Sequence, residues 1–161
     1  MSLSKELQTG KAGEHLVCFD LIMQGYNVFL ADQGLPFDII LEKDSKLLRI
    51  QVKSTLHLVT YTNAHSVYRF GLRQGAGNKS RARTADEVDY YAFVALDIKK
   101  IAYIPIKNLL GKTTKTNVIK QTVDFKTKSI EHKGRVYSNG TIRKVEWGKY
   151  IEDYGIFDIN N

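Results

Sequence analysis

The sequence predicts an α/β domain, on three observations. Apolar residues recur at helical spacing from Leu7 to Met23, short apolar or alternating runs follow from Val28 onward, and polar turn clusters separate those runs. Together they predict one helix, then a mixed β-sheet, with further covering elements near the C-terminus.

The helix carries Val17, Cys18, Leu21 and Ile22 as its apolar stripe, and Gly10 and Gly13 predict a break or a tight approach within it. Glu14 stands three and four residues before Val17 and Cys18, so it shares their inward side, where a carboxylate is costly without a partner. Gly25 suits a left-handed cap that ends the helix. A strand from Val28 to Ala31 leads into the polar loop 32–36. Phe37 to Glu42 and Lys46 to Ser54 then read as strand, turn and strand about Lys43-Asp44-Ser45-Lys46. In the second strand Leu48, Ile50 and Val52 share one face, and Arg49, Gln51 and Lys53 share the other. In the first, Asp38 shares a face with Ile40.

Val67 to Arg73 alternates again, with Tyr68, Phe70 and Leu72 opposite Arg69 and Arg73. A Gly-rich loop, Gln74 to Thr84, ends in Lys79-Ser80-Arg81-Ala82-Arg83. Tyr90 to Leu96 is nearly all apolar, as a central strand should be. Ile101 to Ile106 returns beside it after a turn at 97–100, and Pro105 restricts it to an edge or an end. Ile106 to Leu110 adds a helical turn. From Gly111 the pattern is irregular or short-stranded, with a final helix expected near Trp147 to Tyr154. The aromatic set Tyr61, Tyr68, Tyr90, Tyr91, Phe93 and Tyr103 reads as core, and Asp86 and Asp89 as turn formers. At 161 residues the chain suits one domain, with a core over about 4–110 and an elaboration over about 111–161.

Composition narrows the classes. A single cysteine, Cys18, rules out an intrachain disulfide and any multi-cysteine zinc cluster, and its place in the helix stripe marks it as a buried thiol. No apolar run approaches the roughly 20 residues of a membrane span, and residues 1–11 lack the apolar core of a signal peptide, so an intracellular protein is expected. The net charge of +7 and pI near 9.4 favour a polyanionic partner.

The chemistry concentrates between Pro36 and Lys53. The hairpin places Asp38, Gln51 and Lys53 at one end of a sheet, with the Val52 carbonyl between the last two. Hard oxygen donors from one or two carboxylates and a neutral amide suit a divalent cation such as magnesium, and Glu14 extends the set from the helix. Lys53 would then orient or deprotonate the attacking water and steady charge on a phosphodiester. The plain alternative is that Asp38 caps a turn, Gln51 and Lys53 face solvent, and Glu14 is a surface residue.

The series Gly13-Glu14, Gly25-Tyr26, Pro36-Phe37-Asp38-Ile39-Ile40 and Ile50-Gln51-Val52-Lys53-Ser54 resembles the PD-(D/E)xK nuclease superfamily, and within it the group I intron-encoded homing endonuclease branch. These motifs cover about residues 11–55. Asp86 to Tyr91 and Tyr103 to Ile106 extend the likeness to about residue 110. The resemblance implies a restriction-endonuclease-like core that cuts double-stranded DNA with Mg2+, manganese substituting. It puts the catalytic residues at Glu14, Asp38, Gln51 and Lys53, and the metal ligands at Glu14, Asp38, Gln51 and Val52. Gln51 stands where the superfamily usually has an acid, a substitution that is itself part of the homing pattern.

With DNA as partner, Lys79, Arg81 and Arg83 are expected to follow the backbone, Arg69 and Arg73 to read base edges, and Arg143, near Asn139-Gly140, to form a second DNA-facing turn. One site per chain and two strands per duplex imply a homo-oligomer, dimer or tetramer, acting in the cytoplasm at the nucleoid. Rival readings are a Holliday junction resolvase and a non-catalytic DNA-binding module.

Overall fold

Ser4 starts the first helix. Its extended backbone (φ −62°, ψ 154°) leads into α1, Lys5–Met23, and its Oγ accepts the Leu7 N–H at 3.3 Å. The computed structural model describes residues 4–59, 67–74, 81–109, 122–126, 132–136, 142–145 and 150–158. α1 runs unbroken through Gly10 and Gly13. Gly13 instead lets the helix approach the sheet, because a Cβ there would stand only 2.8 Å from Ser54 Cβ. The buried residues of α1 are Gly13, Val17 and Leu21, at every fourth position. Ile22, expected on that stripe, is 55% exposed, since one step along a helix turns a side chain about 100° away from Leu21. Cys18 on the same side is only half-buried.

Gly25 reverses the chain in a left-handed conformation (φ +86°) and delivers it to β1, Asn27–Leu30. β1 pairs antiparallel with β2, Ile39–Lys43, which pairs antiparallel with β3, Lys46–Thr55. Asp44 and Ser45 both take positive φ (49° and 61°), which matches the twist a two-residue hairpin needs and fixes the register Ile39 to Ile50. Three short strands follow, β4 (Val67–Gly71), β5 (Arg73–Gln74) and β6 (Arg81–Ala82), the last two paired with each other. The chain re-enters the sheet as β7, Tyr90–Ala95, parallel to β3, and turns back as β8, Lys100–Pro105. The main sheet is thus ordered β1-β2-β3-β7-β8, mixed, with the Pro105 strand at its edge.

Every residue of β7 is buried, as its unbroken apolar run requires. α1 lies against the Val52 and Ser54 face of β3. On the other face Phe70 of β4 meets Phe93 of β7 at 5.1 Å between ring centroids, and Tyr68, Phe70 and Leu72 are all buried. Tyr90, Tyr91, Phe93 and Tyr103 are core residues, while Tyr61 lies outside the described residues.

α2, Ile106–Leu109, closes the hairpin, and β9 (Thr122–Lys126) pairs with β4 and β10 (His132–Val136) with β11 (Ile142–Val145). The last helix differs from expectation. It is a 3-10 turn over Tyr154–Asp158, because Ile151 bridges to Ala102 and Glu152 adopts positive φ (54°), which no helix can run through. Trp147 lies outside the described residues. That turn is tied back to α1, since Asp20 accepts the hydroxyls of Tyr103 at 2.5 Å and Tyr154 at 2.8 Å. Among the described residues no helix is long and apolar enough to cross a membrane.

Candidate active site

The antiparallel pairing of β2 and β3 sets Asp38 directly beside the middle of β3. Its backbone N–H donates to the Ile50 carbonyl at 2.9 Å. Its Oδ2 accepts the Val52 backbone N–H at 2.7 Å and the side-chain amide of Gln51. The same Gln51 nitrogen lies 3.4 Å from the Val52 carbonyl. Asp38, Gln51 and Val52 therefore form one bonded unit. Asp38 Oδ1 and Gln51 Oε1 have no hydrogen-bond partner among the described residues, so each keeps an oxygen to offer. Gln51 is 7% exposed. Only a neutral group suits such burial without a charged partner of its own.

Glu14 comes from α1 with its side chain 15% exposed, and its Oε2 receives Lys11 Nζ at 2.7 Å. Burial raises the Asp38 carboxyl above its usual range. The Val52 N–H works against that shift, and the Glu14 charge adds to it. Two carboxylates thus share one neighbourhood and repel each other. Lys53, half-buried, is pushed below the usual lysine range by burial, with Asp38 opposing and the positive charge of Arg83 contributing.

This donor set fits a hard divalent cation. Two carboxylates, a carboxamide oxygen and a backbone carbonyl are all oxygen donors, and the mutual repulsion of Glu14 and Asp38 is what a cation relieves. Among the described residues no group of three or more His, Cys, Asp or Glu side chains that could hold a metal ion is present.

The structure distributes the expected DNA-binding cations unevenly. Arg81, just before the site, is bound by Glu87 through two hydrogen bonds of 2.8 and 2.6 Å. That pairing holds the Glu87 carboxyl down at about 2. Arg83, expected on an open loop, is instead only 8% exposed, one residue past the β5–β6 pairing. Arg69 is half-buried on β4. Lys79 and the side chains of Arg73 and Arg143 lie outside the described residues.

Asp89 is more than a turn former. Its Oδ2 accepts both the Arg49 backbone N–H at 2.8 Å and Arg49 Nε at 3.0 Å, and its Oδ1 accepts Nη2 at 3.0 Å. The remaining guanidinium nitrogen, Arg49 Nη1, donates to the Asp86 carbonyl. This pair locks the start of β7 to β3, in the register that sets Tyr91 beside Gln51 and Phe93 beside Lys53.

The sequence reading names neither Lys11 as a partner of Glu14 nor the core residue Tyr91 as a neighbour of Gln51. The three-residue spacing of Lys11 and Glu14 on a helix was the available signal for the first. For the second there was none, since Tyr91 reaches the site only through the β3–β7 register.

Comparison with known proteins decides the family. A family model described as PD-(D/E)XK endonuclease matches residues 4–138. The chain belongs to the PD-(D/E)XK endonuclease family. Its match runs through the helix, the hairpin and the paired strands that carry the site. Among solved structures, a bacterial homing endonuclease, I-Ssp6803I, is similar with a TM-score of 0.65 and 12% sequence identity, over 96% of this chain and 93% of that one. At that identity the likeness speaks to the fold, a restriction-endonuclease-like α/β core. No curated protein matches the sequence.

Proposed function

We propose that this PD-(D/E)XK nuclease is a magnesium-dependent, sequence-specific endonuclease of double-stranded DNA, of the homing type. The observation that carries the reading is the bonded unit of Asp38, Gln51 and Val52, flanked by Glu14 from the helix and Lys53 from the same strand face. The similar fold of a homing endonuclease supports the choice within the family.

Glu14, Asp38, Gln51 and the Val52 carbonyl would hold the cation. When bound, it polarises the phosphodiester and makes a water more acidic. The chain supplies the rest. Asp38 is fixed by two donors, so it needs no reorganisation as charge develops. Lys53 Nζ, shifted toward its neutral form by burial, either takes a proton from the attacking water or stabilises the phosphorane-like charge. The products would carry a 5′-phosphate and a 3′-hydroxyl.

The basic net charge supports a nucleic-acid partner. With one site per chain, a homo-oligomer of at least two protomers follows if both strands are cut. Exposed Phe19, Ile22 and Met23, at i, i+3 and i+4 on α1, support contact between copies.

The test is incubation with a plasmid library and Mg2+, beside Lys53→Ala and Asp38→Ala. Discrete linear products from the wild type alone are expected. Equal behaviour of all three would reject the chemistry, and cleavage of four-way junctions irrespective of sequence would reassign the substrate to a Holliday junction.

A further inference from the structure

We propose that Arg83 and Tyr91 hold a phosphate oxygen of the bound strand beside Lys53, an assignment that rests on the nuclease reading of this site. Two enclosed donors carry it. Arg83 Nε and Tyr91 Oη are buried, and neither has a hydrogen-bond partner among the described residues. Arg83 is 8% exposed and Tyr91 fully buried. The register sets Tyr91 directly beside Gln51 on the face that carries Lys53, and the charge of Arg83 reaches both Lys53 and Tyr91.

The guanidinium is under-compensated. Its ionic contact with Glu87 spans 3.6 Å from Nη1 to Oε1, beyond hydrogen-bond length. Glu87 is already committed, to Arg81 at 2.6 and 2.8 Å and to the Thr84 N–H at 3.0 Å. Segment 75–80, which leads into β6, contains no Asp or Glu. A buried cation without a bonded anion is strongly unfavourable, and a donor pair without an acceptor is a half-built network. The missing member is a negatively charged acceptor.

A phosphodiester supplies it. Guanidinium presents parallel N–H groups that match two phosphate oxygens, and a phenol adds a third donor. A tyrosine phenol carries its proton at neutral pH, so the buried Tyr91 hydroxyl is available to donate. Both atoms are enclosed in the DNA-free chain, so the Arg83 side chain rotates to seat the phosphate, a cost offset by the charge-assisted fork. Arg83 is thus a substrate-contacting residue at the catalytic centre.

The test uses the full chain, thymidine 3′,5′-bisphosphate and Ca2+, read by the arginine Nε–Hε resonances in a 15N-labelled sample. The Arg83 signal is assigned by its disappearance in Arg83→Lys. On titration it is expected to shift, and bisphosphate affinity is expected to fall about tenfold or more in Arg83→Lys and severalfold in Tyr91→Phe. Single-turnover DNA cleavage should drop on the order of 100-fold in Arg83→Lys, as for loss of one fixed donor to a developing oxyanion. An unmoved Arg83 signal, or wild-type affinity in both variants, overturns the proposal while plasmid nicking by the wild type keeps the nuclease reading. A shifted signal without any Mg2+-dependent nicking does the reverse. If Arg83→Lys fails to fold, Arg83→Gln supplies the assignment, and bisphosphate affinity in Tyr91→Phe decides.

Discussion

The Asp38 carboxylate accepts the backbone N–H of Val52 at 2.7 Å, so the residue that ends one strand's approach is fastened to the middle of the next. This bond fixes where the site's charge sits. It does not remove the cost of that charge, because burial and Glu14 still raise the Asp38 carboxyl above its usual range.

A raised folded-state pKa means that the folded chain binds this proton more tightly than the unfolded chain. The group therefore withdraws stability as pH climbs from the unfolded pKa through the folded one, and at neutral pH ionised Asp38 weighs against the cation-free protein. Asp38→Asn should raise the melting temperature in EDTA by a few degrees, at about 2–4 °C per kcal/mol for a domain of this size, while abolishing cleavage. Calorimetry showing an unchanged or lower melting temperature would contradict this.

Lys11 holds Glu14 Oε2 at 2.7 Å and so would compete with a cation bound at that oxygen, as proposed above. Lys11→Ala is expected to tighten Mn2+ binding to the DNA-free protein severalfold, an effect of about 1 kcal/mol as befits a part-exposed pair. Isothermal titration measures it, and weaker binding would refute the competition.

Gly13 sets the distance between α1 and β3. Gly13→Ala places a methyl 2.8 Å from Ser54 Cβ, which must push the helix away and carry Glu14 with it. We expect a loss of about 1–3 kcal/mol in urea unfolding and slower cleavage, both largely restored by adding Ser54→Gly. No rescue by the second substitution would place the fault elsewhere.

Asp89 braces the β3–β7 pairing through Arg49. Asp89→Asn removes the charge that receives three Arg49 donors, and with both side chains about 30% exposed the expected cost is about 1–2 kcal/mol. Mn2+ affinity should stay within twofold of wild type. A collapse of metal binding would mean that the β3–β7 register, rather than the hairpin, shapes the site.

The hairpin was legible because two signals agreed. Period-2 alternation put Gln51 and Lys53 on one face, and the Asp44-Ser45 turn set the register that brings Asp38 alongside. The edge position of the Pro105 strand followed from its missing N–H. What sequence could not give were burials decided by distant chain. Ile22 and Cys18 occupy the same helical row, yet the sheet covers only part of it. Arg83 ends a run of basic residues that reads as a solvated loop, yet it is buried just past the β5–β6 pairing. The positive φ of Glu152, which falls within the expected final helix, has no sequence signal at a glutamate.

In the function proposed above, Glu14, Asp38 and Gln51 would together hold one divalent cation between α1 and the β2–β3 hairpin. Electron paramagnetic resonance of Mn2+ titrated into the DNA-free protein tests it most directly. The account predicts a bound ion lost in Asp38→Asn and weakened at least tenfold in Glu14→Gln. Manganese bound with wild-type affinity by both variants would contradict it.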